Sequence, residues 1–194
     1  MTLPAGQLGE LIFRPVENRM DSLLYNEFIE RYHYLGYQPL PGAQRRYMVF
    51  GQERLLALLG FGAAAWKTAP RDRYIGWTHQ QREKNLHLVV NNARFLILPW
   101  IHSQNLASRI LAGIARRAPQ DWERQYGVSP VLLETFVQKD RFQGTCYRAA
   151  NWIHVGLTQG RGKLDRECQR PLPVKHIFLY PLNRNFRRLL CSPL

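Results

Sequence analysis

The chain has 194 residues, 45% of them hydrophobic, which is enough to fill one sizeable core, so we expect a single globular domain over residues 1–194. Its 27 Lys and Arg against 14 Asp and Glu give a formal net charge of +13, which favours a polyanionic partner and nucleic acid above all. The most apolar run, residues 55–66, falls short of the roughly 20 residues of a membrane-spanning helix, and no signal sequence opens the chain, so we expect a cytoplasmic protein with no membrane partner.

The first half of the chain predicts three strands and one helix. A short strand is expected at residues 11–16, followed by a helix with Asp21 as its N-cap that runs to about Tyr32. Two strands, at residues 44–50 and 55–66, follow as a hairpin. Residues 67–85 are polar, basic and aromatic, and we expect them to run over the surface.

The second half predicts a long strand at residues 86–98 and a helix at residues 105–117 that Pro119 ends. A strand at 131–137, a short helix around 142–150 and strands at 152–158 and 175–180 come next, and a basic C-terminal extension closes the chain. The order is β-α-β-β-β-α-β-α-β-β. It predicts an α+β fold with a mixed sheet flanked by helices.

This order, with His102-Ser-Gln-Asn-Leu-Ala107 at the start of the second long helix, resembles the GNAT superfamily of acyl-coenzyme A N-acyltransferases. The resemblance implies a GNAT-like fold. It also implies that His102, Asn105, Leu106 and Ala107 hold the pyrophosphate of acetyl-coenzyme A or another acyl-coenzyme A, by helix-start N–H groups and the helix dipole. Asn105 stands in place of a glycine and can adopt the left-handed backbone that glycine would. The alternative is that Asn105 is an ordinary helix N-cap.

Two residues are candidates for catalysis. Tyr147 matches the position at which many GNAT enzymes carry a tyrosine that protonates the leaving thiolate, and a tyrosine with a pKa near 10 suits that role. The alternative is a core residue, because a single tyrosine at helical spacing is more often packed in a core than catalytic. Glu134 is either a general base acting on an amine or the partner of a buried arginine. The spacing of the His and Cys residues predicts no metal site, and the spacing of Asp72, Glu134 and Asp140 does not favour a carboxylate triad.

Seven sequence blocks, in order along the chain, are similar to the Druantia protein A family. They are His33–Gly36, Arg71–Trp77, Asn92–Pro99, Asn105–Ser108, Leu133–Val137, Gly144–Trp152 and Gly156–Gly162. This family belongs to an anti-phage defence system, and similar domains accompany or are fused to transposases. The resemblance implies a defence-system or mobile-element protein, with defence-system or transposase partner proteins. The block Tyr147–Trp152 also resembles the Mom-type DNA-modification proteins, a divergent GNAT branch, which favours DNA as the substrate.

Two basic segments are candidates for nucleic-acid binding, because they combine phosphate-pairing groups with flat rings or with a glycine-rich backbone. The predicted contact residues are Arg71, Arg73, Tyr74, Trp77 and Arg82 in the first segment, and Arg161, Lys163 and Arg166 in the second. Either segment could instead be a solvated basic loop. Two functions therefore remain open: a DNA-binding module built on a degenerate acyltransferase scaffold, and an active GNAT-type transferase that modifies a nucleobase or another amine.

Overall fold

The computed structural model describes residues 8–160 and 172–192, which contain seven strands and six α-helices. In chain order these are β1 (Ile12–Pro15), α1 (Arg19–Tyr32), β2 (Gln44–Gly51), β3 (Arg54–Ala63), α2 (Ala69–Ile75), α3 (His79–Asn85), β4 (Val89–Ile97), α4 (Leu106–Tyr126), β5 (Leu132–Gln138), α5 (Thr145–Ala149), β6 (Ile153–Leu157), β7 (Lys175–Pro181) and α6 (Phe186–Leu190). The predicted order of strands and long helices is confirmed, as is the α+β fold with a sheet flanked by helices. Three short helices, α2, α3 and α6, were not predicted.

The chain divides into two compact units, each with its own run of neighbouring strands. The first unit comprises residues 1–63 and 92–127, with strand order β1-β2-β3-β4, and the second comprises residues 64–91 and 128–194, with strand order β5-β7-β6. β2 pairs antiparallel with β1 and β3, and β7 pairs antiparallel with β5 and β6. Compact units of this kind need not be separate domains, so the single-domain expectation stays a prediction.

In the first unit, one face of α1 packs on the sheet. Tyr25 and Ile29 of α1 join Met48, Leu58 and Leu98 in a buried apolar cluster. Asp21 was predicted to be the N-cap of this helix, which is wrong. Asn18 is the cap, because its Oδ1 accepts the Asp21 N–H at 2.8 Å, and Asp21 lies in the first turn, where its charge favours the helix dipole.

α4 is longer than predicted, because Pro119 lies inside it and does not end it. Burial continues past the proline at Asp121 and Trp122, so the apolar face keeps its helical period and tertiary packing offsets the hydrogen bond that the proline lacks. The helix ends at Gly127, which has a left-handed backbone with φ of 69° and donates its N–H to Glu123 O at 2.8 Å.

In the second unit, the segment predicted to run over the surface folds into α2 and α3 and contributes to the core. Ile75 and Trp77 are buried with Leu132, Ile177 and Phe186 in one apolar cluster. α2 begins with a proline in its first turn, and α3 begins with a capping box between Thr78 and Gln81, both of which favour helix formation.

Among the described residues, no helix has the length and apolar character needed to cross a membrane.

Candidate nucleic-acid surface and predicted catalytic residues

Arg71 is the centre of a buried charge network in the second unit. Its Nη1 donates to Glu134 Oε2 at 2.9 Å and to the carbonyl oxygen of Ala65 at 2.7 Å, and its Nε donates to Asp72 Oδ1 at 2.9 Å. The Arg71 and Glu134 side chains are both 0% exposed. Arg82 joins the network through a contact of 3.2 Å from its Nη1 to Asp72 Oδ2. Two arginines and two acids thus neutralise one another inside this unit.

The network overturns three of the predicted nucleic-acid contacts. Arg71, Trp77 and Arg82 are all buried, and the Arg71 guanidinium lies 5.5 Å from the centre of the Trp77 ring. Groups that are shielded from solvent and already bonded to carboxylates do not pair with phosphate, so the prediction that these three residues contact nucleic acid is wrong. Their cationic and aromatic character serves the core of the unit.

The same network decides between the two interpretations of Glu134. One carboxylate oxygen accepts from Arg71, and the other accepts the Ala65 N–H at 2.8 Å. Burial raises the pKa of Glu134, and the Arg71 charge opposes that rise. Both oxygens are engaged and neither is open to solvent, so Glu134 is the partner of a buried arginine, and this arrangement does not suit a general base.

Tyr147, the other predicted catalytic residue, lies in α5 and is 7% exposed. Its ring stacks on Phe178 with centroids 5.7 Å apart and meets Trp152 edge to face at 5.1 Å. Its hydroxyl lies 3.4 Å from the Thr135 hydroxyl, which is also buried. These contacts are those of a packed aromatic residue, and its role as an acid stays a prediction.

The predicted cofactor residues lie at the start of α4, in the first unit. Asn105 has φ of 61° and ψ of 4°, a left-handed backbone, and its side chain makes no capping hydrogen bond to the helix. The backbone conformation predicted for Asn105 is therefore confirmed, and capping by its side chain does not occur. His102 is exposed, Leu106 is fully buried, and the N–H of Leu106 lies 3.4 Å from Ser103 O. Binding of acyl-coenzyme A by His102, Asn105, Leu106 and Ala107 stays a prediction.

The positive charge of the protein is concentrated in the second unit. That unit contains 16 Lys and Arg against 6 Asp and Glu, whereas the first unit contains 11 against 8. Among the described residues of the second unit, nine Lys and Arg side chains are exposed, against the two exposed acids Glu83 and Asp140. The other acids in the described part of this unit belong to the buried Arg71 network. Little exposed negative charge therefore offsets the exposed cations there.

Several of these cations lie around α6, where it packs against α2 and α3. The Arg187 guanidinium lies 4.5 Å from the centre of the Tyr74 ring, and its Nε donates to Tyr74 O at 3.2 Å. The Tyr74 ring in turn stacks on Phe186, with centroids 6.2 Å apart and planes 11° from parallel. We call this the α2–α6 surface and define it by Arg73, Tyr74, Arg184, Arg187 and Arg188.

Only part of the predicted nucleic-acid segment belongs to this surface. Arg73 is exposed and Tyr74 is half-buried, and their contact with nucleic acid stays a prediction. Arg184, Arg187 and Arg188 were noted in the sequence as a basic extension but were not assigned to a site. The signal that could have joined them to α2 is the aromatic pair of Tyr74 and Phe186. The predicted contacts Arg161, Lys163 and Arg166 lie outside the described residues.

Among the residues that the structure describes, no three or more His, Cys, Asp and Glu side chains come together as metal ligands would. His154 and His176 do approach each other, with His154 Nε2 3.0 Å from His176 Nδ1. Burial lowers the pKa of His154, and the charges of His176 and Arg148 lower it further.

Comparison with solved structures shows the fold. The ribosomal-protein-S18-alanine N-acetyltransferase of Escherichia coli superposes with a TM-score of 0.56 at 9% identity, covering 90% of this chain and 95% of that one. An acetyltransferase of the GNAT family from Streptococcus pneumoniae gives a TM-score of 0.55 at 12% identity, covering 90% of this chain and 100% of that one. The polyamine N-acetyltransferase of Drosophila melanogaster gives 0.53 at 13% identity, covering 89% and 100%. At these identities the likeness concerns the fold, which is GNAT-like.

Comparison with curated proteins gave no match. The predicted similarity to Mom-type proteins is supported by none of these comparisons and stays a prediction. The family model described as Druantia protein DruA matches residues 7–170, which is most of the chain. The predicted resemblance is thereby confirmed: the chain belongs to the Druantia protein DruA family and is a defence-system protein with a GNAT-like fold.

Proposed function

We propose that this defence-system protein binds DNA through the second unit, and that its acyltransferase fold serves as the scaffold for that surface. The observation that carries the proposal is the charge asymmetry between the units. The second unit holds a surplus of ten positive charges, and the first holds a surplus of three. Solubility does not require so uneven a distribution, whereas a phosphate backbone does favour one basic face.

The α2–α6 surface supplies the groups that such binding needs. Arg73, Arg184 and Arg188 are exposed, and arginine pairs with phosphate through a planar fork of donors. Arg187 lies over Tyr74, which fixes a guanidinium plane beside a partly exposed ring. Cations combined with flat rings suit contacts to a backbone and to unpaired bases.

The states of the predicted catalytic residues support a scaffold role. Glu134 is engaged by Arg71 and by the Ala65 N–H, and Tyr147 is packed between Phe178 and Trp152. Neither side chain is open to an incoming amine in this arrangement.

The test is binding of labelled single- and double-stranded oligonucleotides to the full chain over a series of salt concentrations. The triple variant Arg73→Ala, Arg184→Ala, Arg188→Ala should weaken binding of all sequences alike. If each arginine neutralises one phosphate, the slope of log K against log salt should fall by about 2 to 3 units, at about 0.9 per phosphate for duplex DNA.

A matched control removes the same charge from the first unit. The triple variant Arg19→Ala, Arg31→Ala, Arg116→Ala changes three exposed arginines there and should leave the salt slope within about one unit of the unmodified chain. Equal losses in the two triple variants would show that overall charge alone attracts the DNA. Absence of salt-dependent binding by the unmodified chain would remove the proposal.

A second candidate function is the transfer of an acyl group to a nucleobase or another amine. The start of α4 favours it, because Asn105 keeps the left-handed backbone that a glycine would adopt there, ahead of N–H groups that have no partner within the helix. Calorimetry with acetyl-coenzyme A tests this candidate. The candidate is supported if the chain gives a heat of binding that Asn105→Asp, whose charge would repel a pyrophosphate, does not give. It is excluded if the unmodified chain gives no heat at about millimolar cofactor.

Partner proteins from the defence system or a transposase stay a prediction.

A further inference from the structure

Trp66 lies between β3 and α2 and presents a large aromatic ring to solvent. It is 45% exposed, whereas Trp77 and Trp152, the other tryptophans of the second unit, are 8% and 4% exposed. Leaving nearly half of an indole in water forgoes much of the stabilisation that its burial would bring. Trp66 belongs neither to a predicted site nor to the α2–α6 surface.

Arg82 covers the inner side of this ring. Its guanidinium lies 5.9 Å from the centre of the Trp66 ring, and Arg82 itself is 5% exposed. Because this cation is buried and the ring is not, the exposed area of the indole lies on the side turned away from Arg82. The contact of 3.2 Å from Arg82 Nη1 to Asp72 Oδ2 fixes the guanidinium, and its attraction to the ring holds the indole in one orientation.

The backbone on both sides of this tryptophan is held by the same buried network. The Ala65 N–H donates to Glu134 Oε1 at 2.8 Å, and Ala65 O accepts from Arg71 Nη1 at 2.7 Å. Two residues after the indole, the Thr68 N–H donates to Asp72 Oδ2 at 3.4 Å. The network therefore fixes the chain before and after the exposed ring as well as the cation beneath it.

Stability alone does not account for so many buried charges. The side chains of the four members, two arginines and two acids, are only 0–14% exposed. Apolar residues of similar volume usually stabilise a protein as well as a buried ion pair does, or better. A buried polar network that fixes a geometry is instead what a binding group needs behind it. The geometry fixed here is that of the Trp66 ring.

The charge around the ring favours nucleic acid as its ligand. Lys67, the next residue, is exposed, and both acids of the network are engaged by Arg71 and Arg82. A flat ring beside a cation is the combination with which proteins bind single-stranded nucleic acid, because the cation pairs with a phosphate and the ring stacks on a base. Every base has a flat face, so such a contact is tolerant of sequence.

We propose that Trp66 is a stacking platform for an unpaired base, and that the second unit therefore prefers single-stranded DNA to duplex. The proposal rests on the DNA binding proposed above and specifies its substrate. A base inside a duplex is stacked on both of its faces, whereas a base in a single strand can turn out and lie on a ring that is already fixed in place. Because the ring is fixed before DNA arrives, little ordering remains to oppose binding.

The test is binding of the full chain to a labelled single strand and to the duplex of the same sequence, over a series of salt concentrations. The single strand should bind more tightly. Trp66→Ala should weaken its binding by about 5- to 150-fold and leave duplex binding unchanged. The salt slope should not change, because no phosphate contact is removed. Trp66→Phe keeps a flat ring and should retain most of the affinity.

Trp100→Ala is the matched control, because Trp100 is 44% exposed but lies in the less basic first unit. This change should alter neither affinity. Unchanged binding of the single strand by Trp66→Ala, or equal losses in Trp66→Ala and Trp100→Ala, would overturn the stacking role. If the unmodified chain still binds with a steep salt slope in that case, DNA binding stands and only stacking is refuted. If it binds neither oligonucleotide, both proposals fail.

Discussion

Replacing Glu134 with alanine should destabilise the second unit strongly, because the change leaves a buried cation without its main counterion. Arg71 and Glu134 are both 0% exposed, and their contact of 2.9 Å is a charge-assisted hydrogen bond. The substitution also removes the acceptor of the Ala65 N–H. Breaking one partner of a buried ion pair costs about 3–5 kcal/mol in the free energy of unfolding. For a chain of this length, the corresponding fall in Tm is about 6–20 °C.

The assay is urea unfolding of the unmodified chain and three variants. Glu134→Gln keeps the shape of the side chain and removes its charge, so it should cost less, about 1.5–3 kcal/mol. The double variant Arg71→Met, Glu134→Leu replaces both charges with apolar groups and should recover most of the loss. If Glu134→Ala unfolds within about 1 kcal/mol of the unmodified chain, the carboxylate does not serve as the partner of Arg71.

Three further predictions concern backbone geometry and pH. In thermal unfolding, Gly144→Ala should lower the free energy of unfolding by about 2–5 kcal/mol and Gly127→Ala by about 1–2 kcal/mol. Both glycines have positive φ, but only at Gly144 would a Cβ lie 2.5 Å from the Phe178 ring, so equal losses would refute the clash. Asn105→Gly should leave Tm unchanged or raise it, since no side-chain capping bond is lost and the left-handed backbone is relieved; a cost above about 1 kcal/mol would contradict this. Burial, assisted by an arginine charge, lowers the pKa of His33 from 6.5 to about 4, so the unfolded chain binds a proton at higher pH than the folded chain does. The contribution of His33 to the free energy of unfolding should therefore be complete above pH 6.5 and fall by about 1–2 kcal/mol towards pH 4. Urea unfolding over this pH range tests it, because His33→Gln should remove that part of the pH dependence.

The sequence predicted the order of strands and helices well, because the spacing of its apolar residues follows the period of a strand or of a helix. α4 shows where a local rule failed: the proline removes one backbone hydrogen bond, whereas Trp122, four residues after the buried Ala118, continues the buried face beyond it. The N-cap of α1 was misplaced for a related reason. Asn18 and Asp21 are both good caps by type, and only the backbone geometry shows which one accepts the N–H.

The candidate surface was harder to predict, because an arginine in a basic segment gives no indication of where it points. Arg71 and Ile75 are four residues apart in α2 and share its buried face, a relation that becomes visible once the segment is known to be helical. Glu134 gave the complementary signal, since a lone acid in an apolar strand requires a buried partner. The pairing itself depends on a contact between residues 63 positions apart, which no local pattern encodes.

Hydrogen–deuterium exchange of the full chain, with and without a duplex oligonucleotide, tests most directly whether the surplus charge of the second unit forms the DNA-binding surface. Bound DNA should slow exchange in peptides that cover Arg73–Tyr74 and Arg184–Arg188. Peptides from α1, in the less basic first unit, should exchange as they do in the free chain. Protection confined to the first unit, or exchange that DNA does not alter anywhere, would contradict this account.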